Sequence, residues 1–398
     1  MKKITNSIKM KNNVKLLSLF NFFFNFRLYS VLAIIYFSEI THSYALGLSI
    51  FSIAQIVQAL CEIPTGILSD RLGRRICLIY GAFASVFSIT CYAIGQFYFV
   101  LIIGAVFEGI YRAFFSGNND ALLYESLSET NQKNIYHRVL GTIRSNLELS
   151  GLLSTWLGGI IAFKAFNVLM WLSILPQLIC LIISFRFIEP MIHKENNDSI
   201  FFHLKEAVQY YKKNIKLRNL SLAGIIGYGI GEASWSFQAV FYNTLLPIWA
   251  VSFVMSLNFL ASVISFRLSG KIIDKIKALH FLIYQEIYSR VLYIFALVFP
   301  TIISPFLLAV ASIFYGPGEV AKNILLQKEF TDKQRATMAS INSLVGSCLF
   351  AVFAFFIGMI ADKLGAAKAL LFAQICLFSV LFLYIKIFFI DKQIEGRS

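Results

Sequence analysis

Apolar runs of about twenty residues recur from one end of this chain to the other, and that recurrence limits its fold more than any other feature. A helix rises 1.5 Å per residue, so about 20 apolar residues cross the hydrocarbon of a bilayer. Of the 398 residues, 58% are hydrophobic and 14% charged, where a soluble domain carries roughly 25% charge. The runs leave no water-soluble domain of useful size. The sequence therefore reads as an all-α, polytopic membrane protein.

Polar and Gly/Pro punctuation divides the chain into twelve expected spans, at about 16–38, 44–66, 76–95, 98–120, 139–161, 164–186, 217–243, 246–267, 278–298, 302–324, 337–359 and 366–388. The expected organisation is a six-helix bundle over 1–186, a cytoplasmic linker over 187–216 and a second six-helix bundle over 217–398. Within the linker, "SIFFHLKEAVQYYKK" places Ile200, Leu204, Ala207, Val208 and Tyr211 on one helical face, the pattern of an amphipathic helix lying on a membrane surface.

The formal net charge of +14 would suggest a nucleic-acid partner in a soluble protein. Here 28 of the 35 Lys and Arg fall in the N-terminal segment, the C-terminal segment and alternate connections, while Lys164, Lys363 and Lys368 fall on the other side. The positive-inside rule then puts both termini in the cytoplasm, and nucleic acid is not expected. The basic start, "MKKITNSIKMKNNVK", resembles a signal peptide. The following run is too long, and no cleavage site follows, so a retained cytoplasmic tail is expected. The six cysteines lie in or at the edge of apolar runs without a C-x-x-C pair, and the five histidines lack ligand spacing. No metal and no cofactor is expected. The chain has no P-loop, G-x-S-x-G or H-E-x-x-H, so neither an enzyme nor ATP coupling within the chain is expected.

One decapeptide, "GILSDRLGRR" from Gly66 to Arg75, interrupts the apolar pattern with four charges. Its G-x-x-x-D core returns at Gly270–Asp274, 204 positions later, and again at Gly358–Asp362. The three copies end spans two, eight and eleven. They imply a three-helix unit used four times, with the second and fourth units inverted.

Twelve spans, two halves, a long central connection and this decapeptide together resemble the major facilitator superfamily. Its G-x-x-x-D-R-x-G-R-[RK] signature is matched by Gly66, Asp70, Arg71, Gly73, Arg74 and Arg75. The segments "CEIPTG", "SGNNDALLYESL" and "QRATMASINSL" look like those of bacterial drug-exporter-type members. The resemblance implies a transporter fold in which the signature latches the two halves on the cytoplasmic side. Gly66 would let helices approach, and Asp70 would accept from the N-terminus of span eleven. Asp120 and Glu125 would be arginine partners. On the other reading these arginines only fix topology. Exporters of the antiporter type carry G-x-x-x-G-P-x-x-G-G in span five; here that register holds Ser150, Ser154, Thr155, Gly158 and Gly159, without the Gly-Pro.

The resemblance also turns spans one, four, seven and ten toward a central cavity. They carry Arg27, Glu108, Arg112, Glu232, Glu319 and Lys322, and span two adds Glu62. Ionisable groups at membrane depth are costly and mark functional sites. Against that, Glu108/Arg112, Arg144/Glu148 and Glu286/Arg290 are i,i+4 pairs that can simply neutralise one another. Arg27 and Glu232 have no same-helix partner at that spacing and are the first candidates for substrate and proton handling. Phe23, Phe26, Tyr29, Trp235, Phe237 and Phe241 can line an apolar pocket or only pack. The expected function is a monomeric secondary transporter of the cell membrane that moves a small lipophilic or amphiphilic organic solute, by proton-coupled efflux, among membrane lipids. Transport of an organic anion (a siderophore or phosphorylated metabolite) and lipid scrambling on the same scaffold are the alternatives.

Overall fold

The computed structural model of the chain describes residues 2–190, 211, 214–329 and 335–395. Among the described residues there is no strand. Span one is two helices, α1 (Lys2–Asn25) and α2 (Ala33–Thr41). Then follow α3 (Tyr44–Leu72), α4 (Arg74–Ile94), α5 (Tyr98–Phe115), α6 (Asn118–Glu129), α7 (Tyr136–Lys164), α8 (Phe166–Leu172) and α9 (Ile174–Ser184). After the linker come α10 (Ile215–Asn243), α11 (Ile248–Lys275), α12 (Ala278–Val298), α13 (Ser304–Ala311), α14 (Tyr315–Glu329), α15 (Arg335–Leu364) and α16 (Ala366–Glu395). The linker positions Ile200, Leu204, Ala207 and Val208 lie outside the described residues. Tyr211, at the end of that segment, donates to Asn342 Oδ1 at 2.6 Å.

Among the described residues, eight helical stretches are long and apolar enough to cross a membrane, and they correspond to spans two, three, four, six, eight, nine, eleven and twelve. Spans one, five, seven and ten are not among them, for physical reasons visible in each. Span one is broken at 26–32 and span ten by a 3-10 turn at Ser312–Phe314. Pro317 accounts for the second break, because it has no N–H to give the Ile313 carbonyl. Spans five and seven carry Arg138, Arg144 and Glu148, and Lys216, Arg218 and Glu232.

The chain forms two compact units. The first gathers Met1–His42, Ile53–Asn196 and Ile248–Ser256, the second Ser43–Ser52, Asn197–Pro247 and Leu257–Ser398. The first turns of α3 and of α11 thus each belong to a different unit from the rest of the helix. In unit one, α4 packs on α5 and α9, and α1 on α6, α7 and α9. Lipid tails are as apolar as the side chains, so close packing rather than water exclusion holds such helices together. The core of unit one supplies it with interlocked rings: Phe20 meets Phe115 edge-on at 5.3 Å, and Phe24 meets Phe115 edge-on at 4.6 Å. In unit two, α10 packs on α15 and α16, and α12 on α16 and α14. Large apolar side chains elsewhere face outward, Phe382 at 76% and Phe99 at 69% exposure. That is the surface a bilayer solvates.

The break in span one is braced by α7. Its backbone closes with short i→i−3 bonds, Ser30 N to Arg27 O and Leu32 N to Tyr29 O, so most of the freed polar groups stay satisfied in an apolar surround. Ser150 donates to Phe22 O at 2.6 Å, and Asn25 donates to Leu147 O at 2.8 Å. One face of α7 is reduced to Ser150, Ser154 and Gly158 at four-residue intervals. A Cβ at Gly158 would lie 2.0 Å from the Leu28 carbonyl oxygen, so only glycine admits this approach.

Candidate functional site

Arg27 sits where α1 ends, and its placement follows from the break. Its Nε donates to Phe24 O at 3.2 Å, and its guanidinium lies over the rings of Phe24 and Tyr111, 4.6 and 5.2 Å from their centroids. The partner it finds is Glu108 on α5, 3% exposed. Glu108 Oε1 receives Arg112 Nη2 at 2.5 Å and the Tyr111 hydroxyl at 3.2 Å, with Arg27 Nη1 at 3.6 Å. Its Oε2 receives the Tyr92 hydroxyl at 2.7 Å. Tyr29 is buried with its ring 6.1 Å from that of Tyr92. Both readings of the sequence meet here, since the i,i+4 pair forms and Arg27 shares its carboxylate. Two guanidiniums thus surround one carboxylate. Arg112 Nε is buried without a hydrogen-bond partner among the described residues, while the Arg112 side chain keeps 32% of its surface exposed.

The signature residues form a second constellation. Arg74 reaches Asp70 at 3.3 Å, Glu125 at 3.3 Å and Ser69 Oγ at 2.5 Å, and Ser69 in turn bonds Asn118. Arg75 Nη2 donates to Phe185 O at 3.0 Å. Asp120 takes Arg144 at 3.1 Å instead of a signature arginine, which also draws Arg144 away from the Glu148 its spacing suggested. Asp70 is 59% exposed along its side chain, and Arg74 of its own signature is its ion-pair partner. Arg71 has no ion pair among the described residues. Span eleven, whose N-terminus is expected to receive Asp70, begins as α15 at Arg335, and residues 330–334 before it lie outside the described residues.

Gly73 shows why this signature needs a glycine. Its φ is +91°, in the left-handed region, and a Cβ there would lie 2.5 Å from the Glu189 carboxylate. Glu189 occupies that notch and accepts from Arg74 N at 2.6 Å and Arg75 N at 2.7 Å, which satisfies the first amides of α4. Sequence reasoning missed Glu189, Tyr92 and Tyr111. The available signal for the first was a lone acid beside Pro190 at the end of span six.

In unit two, Glu319 pairs with Lys322 at 2.5 Å one turn away. Arg290 holds Glu286 Oε2 with both Nε and Nη2, at 3.2 and 2.8 Å, and also bonds Gln374, which donates to Ser234 Oγ at 3.3 Å. This pair therefore reaches α10 two residues from Glu232. Glu232 is half-buried and Trp235 is 38% exposed. Glu62 receives Gln58 at 3.4 Å. Among the described residues no three His, Cys, Asp or Glu side chains converge as metal ligands would.

Broken helices, charged groups at membrane depth and two compact helical units define a membrane transporter fold. The chain belongs to the Major Facilitator Superfamily, whose family model matches residues 16–349. An uncharacterized transporter of Buchnera aphidicola subsp. Schizaphis graminum (strain Sg) is 27% identical over 227 residues, 56% of this chain and 49% of the relative. The match thus spans about half of that relative's length. Among solved structures, the nucleoside transporter NupG superposes with a TM-score of 0.78 at 14% identity, covering 95% of this chain and 99% of that one. The peptide transporter POT in complex with sulfate gives 0.76 at 13%, covering 96% and 94%. A bacterial homolog to the human lysosomal transporter Spinster, inward-facing and unoccupied, gives 0.73 at 14%, covering 96% and 97%. At these identities the likeness is one of fold.

Proposed function

We propose that this transporter is a secondary, proton-coupled exporter of the cytoplasmic membrane whose solute is a small amphiphilic organic molecule carrying an anionic group. One observation carries the reading: in unit one, two buried or half-buried guanidiniums share the single carboxylate of Glu108, and Arg112 Nε has no partner among the described residues. Surplus positive charge in a low-dielectric surround stabilises an incoming anion. The rings of Phe24, Tyr29 and Tyr111 beside it suit an apolar body. The direction rests on the resemblance to exporters, which α7 matches in its small residues but not in the Gly-Pro. Gly158 meets Leu28, and Gly159 meets Ser252.

On this reading 1–186 and 217–398 are the two halves that alternate access, joined by 187–216, with both termini in the cytoplasm and the chain acting as a monomer. Arg27 and Arg112 hold the solute. Glu62, Glu232 and Glu319 are the carboxylates assigned to the proton, with Trp235 one turn from Glu232 on α10.

The test is flux in proteoliposomes with an imposed pH gradient, using an aromatic carboxylate and its neutral amide as probes. Arg112→Gln is expected to weaken the carboxylate at least about tenfold, the scale of one lost charge-assisted bond, and to leave the amide unchanged. Equal effects on both would remove the anion from the proposal. A second reading has one observation in its favour: Glu108 engages both arginines, so the cluster acts as an internal brace and the solute is a neutral lipophile. Under it, arginine variants lower stability without changing selectivity. Lipid flip without solute flux would favour scrambling.

A further inference from the structure

The family resemblance gives a role to the first G-x-x-x-D motif and leaves the third unexplained. Among the described residues that third copy bonds a neighbouring helix. Asp362, at the end of α15, accepts from Tyr44 N at 2.6 Å, Ala45 N at 3.1 Å and the Ser43 hydroxyl at 2.6 Å. Leu46 N is capped by Ser43 Oγ at 3.2 Å, and Gly47 N bonds Ser43 O at 3.0 Å. The free amides of the first turn of α3 are all accounted for, two of them by a carboxylate from another helix. Gly358, one turn earlier on the same face of α15, completes the grip. A Cβ there would lie 2.4 Å from Ala45 Cα and 2.6 Å from Ala45 N.

The same spacing at Gly66 and Asp70 is in the opposite condition. A Cβ at Gly66 would meet nothing within 4 Å, and the Asp70 side chain is 59% exposed, paired with Arg74. Both motifs bear on one helix. Asp362 grips the start of α3, and Gly66–Asp70 closes its end, 26 residues further on, about 39 Å along the axis at ~1.5 Å per residue. That length exceeds the hydrocarbon thickness of about 30 Å. The two hooks therefore sit at opposite faces of the membrane.

We propose that Gly358 and Asp362 form a releasable latch on the first turn of α3, the counterpart at one membrane face of the Gly66–Asp70 hook at the other, and that one is engaged when the other is open. Gly358 admits the α3 backbone, and Asp362 holds it by charge-assisted bonds to amides that the helix dipole already favours. Asp362 is exposed, so its bonds exchange with water at small cost. The inference rests on the alternating-access reading and is independent of which solute is carried.

The experiment uses the full chain in nanodiscs. Cys61, Cys348 and Cys376 are replaced, and the buried Cys77, Cys91 and Cys180 are retained. Spin labels go at Phe97 and Ile302, which are 67% and 64% exposed, and amide exchange is followed over residues 43–47. Asp362→Asn is expected to speed exchange of the Tyr44 and Ala45 amides and to shift the ratio of the two distance populations about five-fold, the effect of losing one capping contact. Gly358→Ala should shift it in the same direction. Asp70→Asn should shift it in the opposite direction, and the double variant should return toward the parent ratio. Faster exchange with an unchanged distance distribution would reduce Asp362 to a static cap and overturn the latch, as would shifts of the same sign from Asp70→Asn and Asp362→Asn. Unchanged exchange would remove the contact itself. Solute flux is not read, so failure of the anion assignment leaves this test intact.

Discussion

Glu108 gathers three hydrogen-bond donors from α4 and α5 and the Arg27 guanidinium from the break in span one, and the cluster's stability turns on that one carboxylate. Tyr92→Phe removes the hydroxyl that fills Oε2 and leaves a buried acceptor unsatisfied. A loss of about 1–3 kcal/mol is expected, read as a lower unfolding midpoint in detergent. Glu108→Ala is expected to cost more, up to roughly 3–5 kcal/mol, because it strands two half-buried cations, and Glu108→Ala/Arg112→Ala should recover part of that loss. A double variant no more stable than Glu108→Ala would show that Arg112 does not depend on this carboxylate. The sequence displays Glu108 and Arg112 as a pair, since their spacing is local. It does not display Arg27 as the third member, because that contact depends on where span one breaks, and no proline or glycine marks positions 26–32. Tyr92 and Tyr111 are likewise silent, since a tyrosine within an apolar run reads as packing until its hydroxyl is given a partner.

At the scale of the element, the small-residue face of α7 explains why span one can be broken at all. The unwound carbonyl of Leu28 lies against α7 at a range that only Gly158 allows. Gly158→Ala is expected to force the two helices apart and to lower the unfolding midpoint by several degrees. Gly227→Ala, on α10 where a Cβ would meet nothing within 4 Å, should be neutral or gain up to about 1 kcal/mol of helix propensity. Paired thermal scans of the two variants check this, and equal effects would remove the close-approach argument. Element by element, periodicity made the long apolar helices legible, and the Pro317 break was legible from chemistry. Spans five and seven were legible from punctuation rather than from hydropathy, because their charges dilute the apolar signal. The Asp362 contact was foreshadowed by the repeated G-x-x-x-D, but the motif alone does not say which copy is engaged.

For the whole molecule, helix length sets an expectation for which face each connection occupies. α7 runs from Tyr136 to Lys164, 29 residues, about 43 Å at ~1.5 Å per residue, longer than a bilayer's hydrocarbon thickness of about 30 Å. If α7 crosses, Lys133, just before it, and Lys164, at its end, lie on opposite faces. α15 is 30 residues long, and Lys368 follows its far end by four positions. The Lys/Arg bias adds the sign that length cannot give, with Lys133 inside and Lys164 and Lys368 outside. Lys212 and Lys333, expected inside by the same bias, lie outside the described residues. Single cysteines at 133, 164 and 368, in the background that keeps only the buried Cys77, Cys91 and Cys180, should separate cleanly. A membrane-impermeant maleimide added to intact cells should label 164 and 368, and should label 133 only after permeabilisation. Labelling of 133 and 164 from the same side would mean that α7 does not cross, and the count of twelve spans would fall with it. Labelling of 133 alone from outside would keep the count and invert the topology. The Asp70 hook would then move to the external face and the Asp362 hook to the cytoplasmic one.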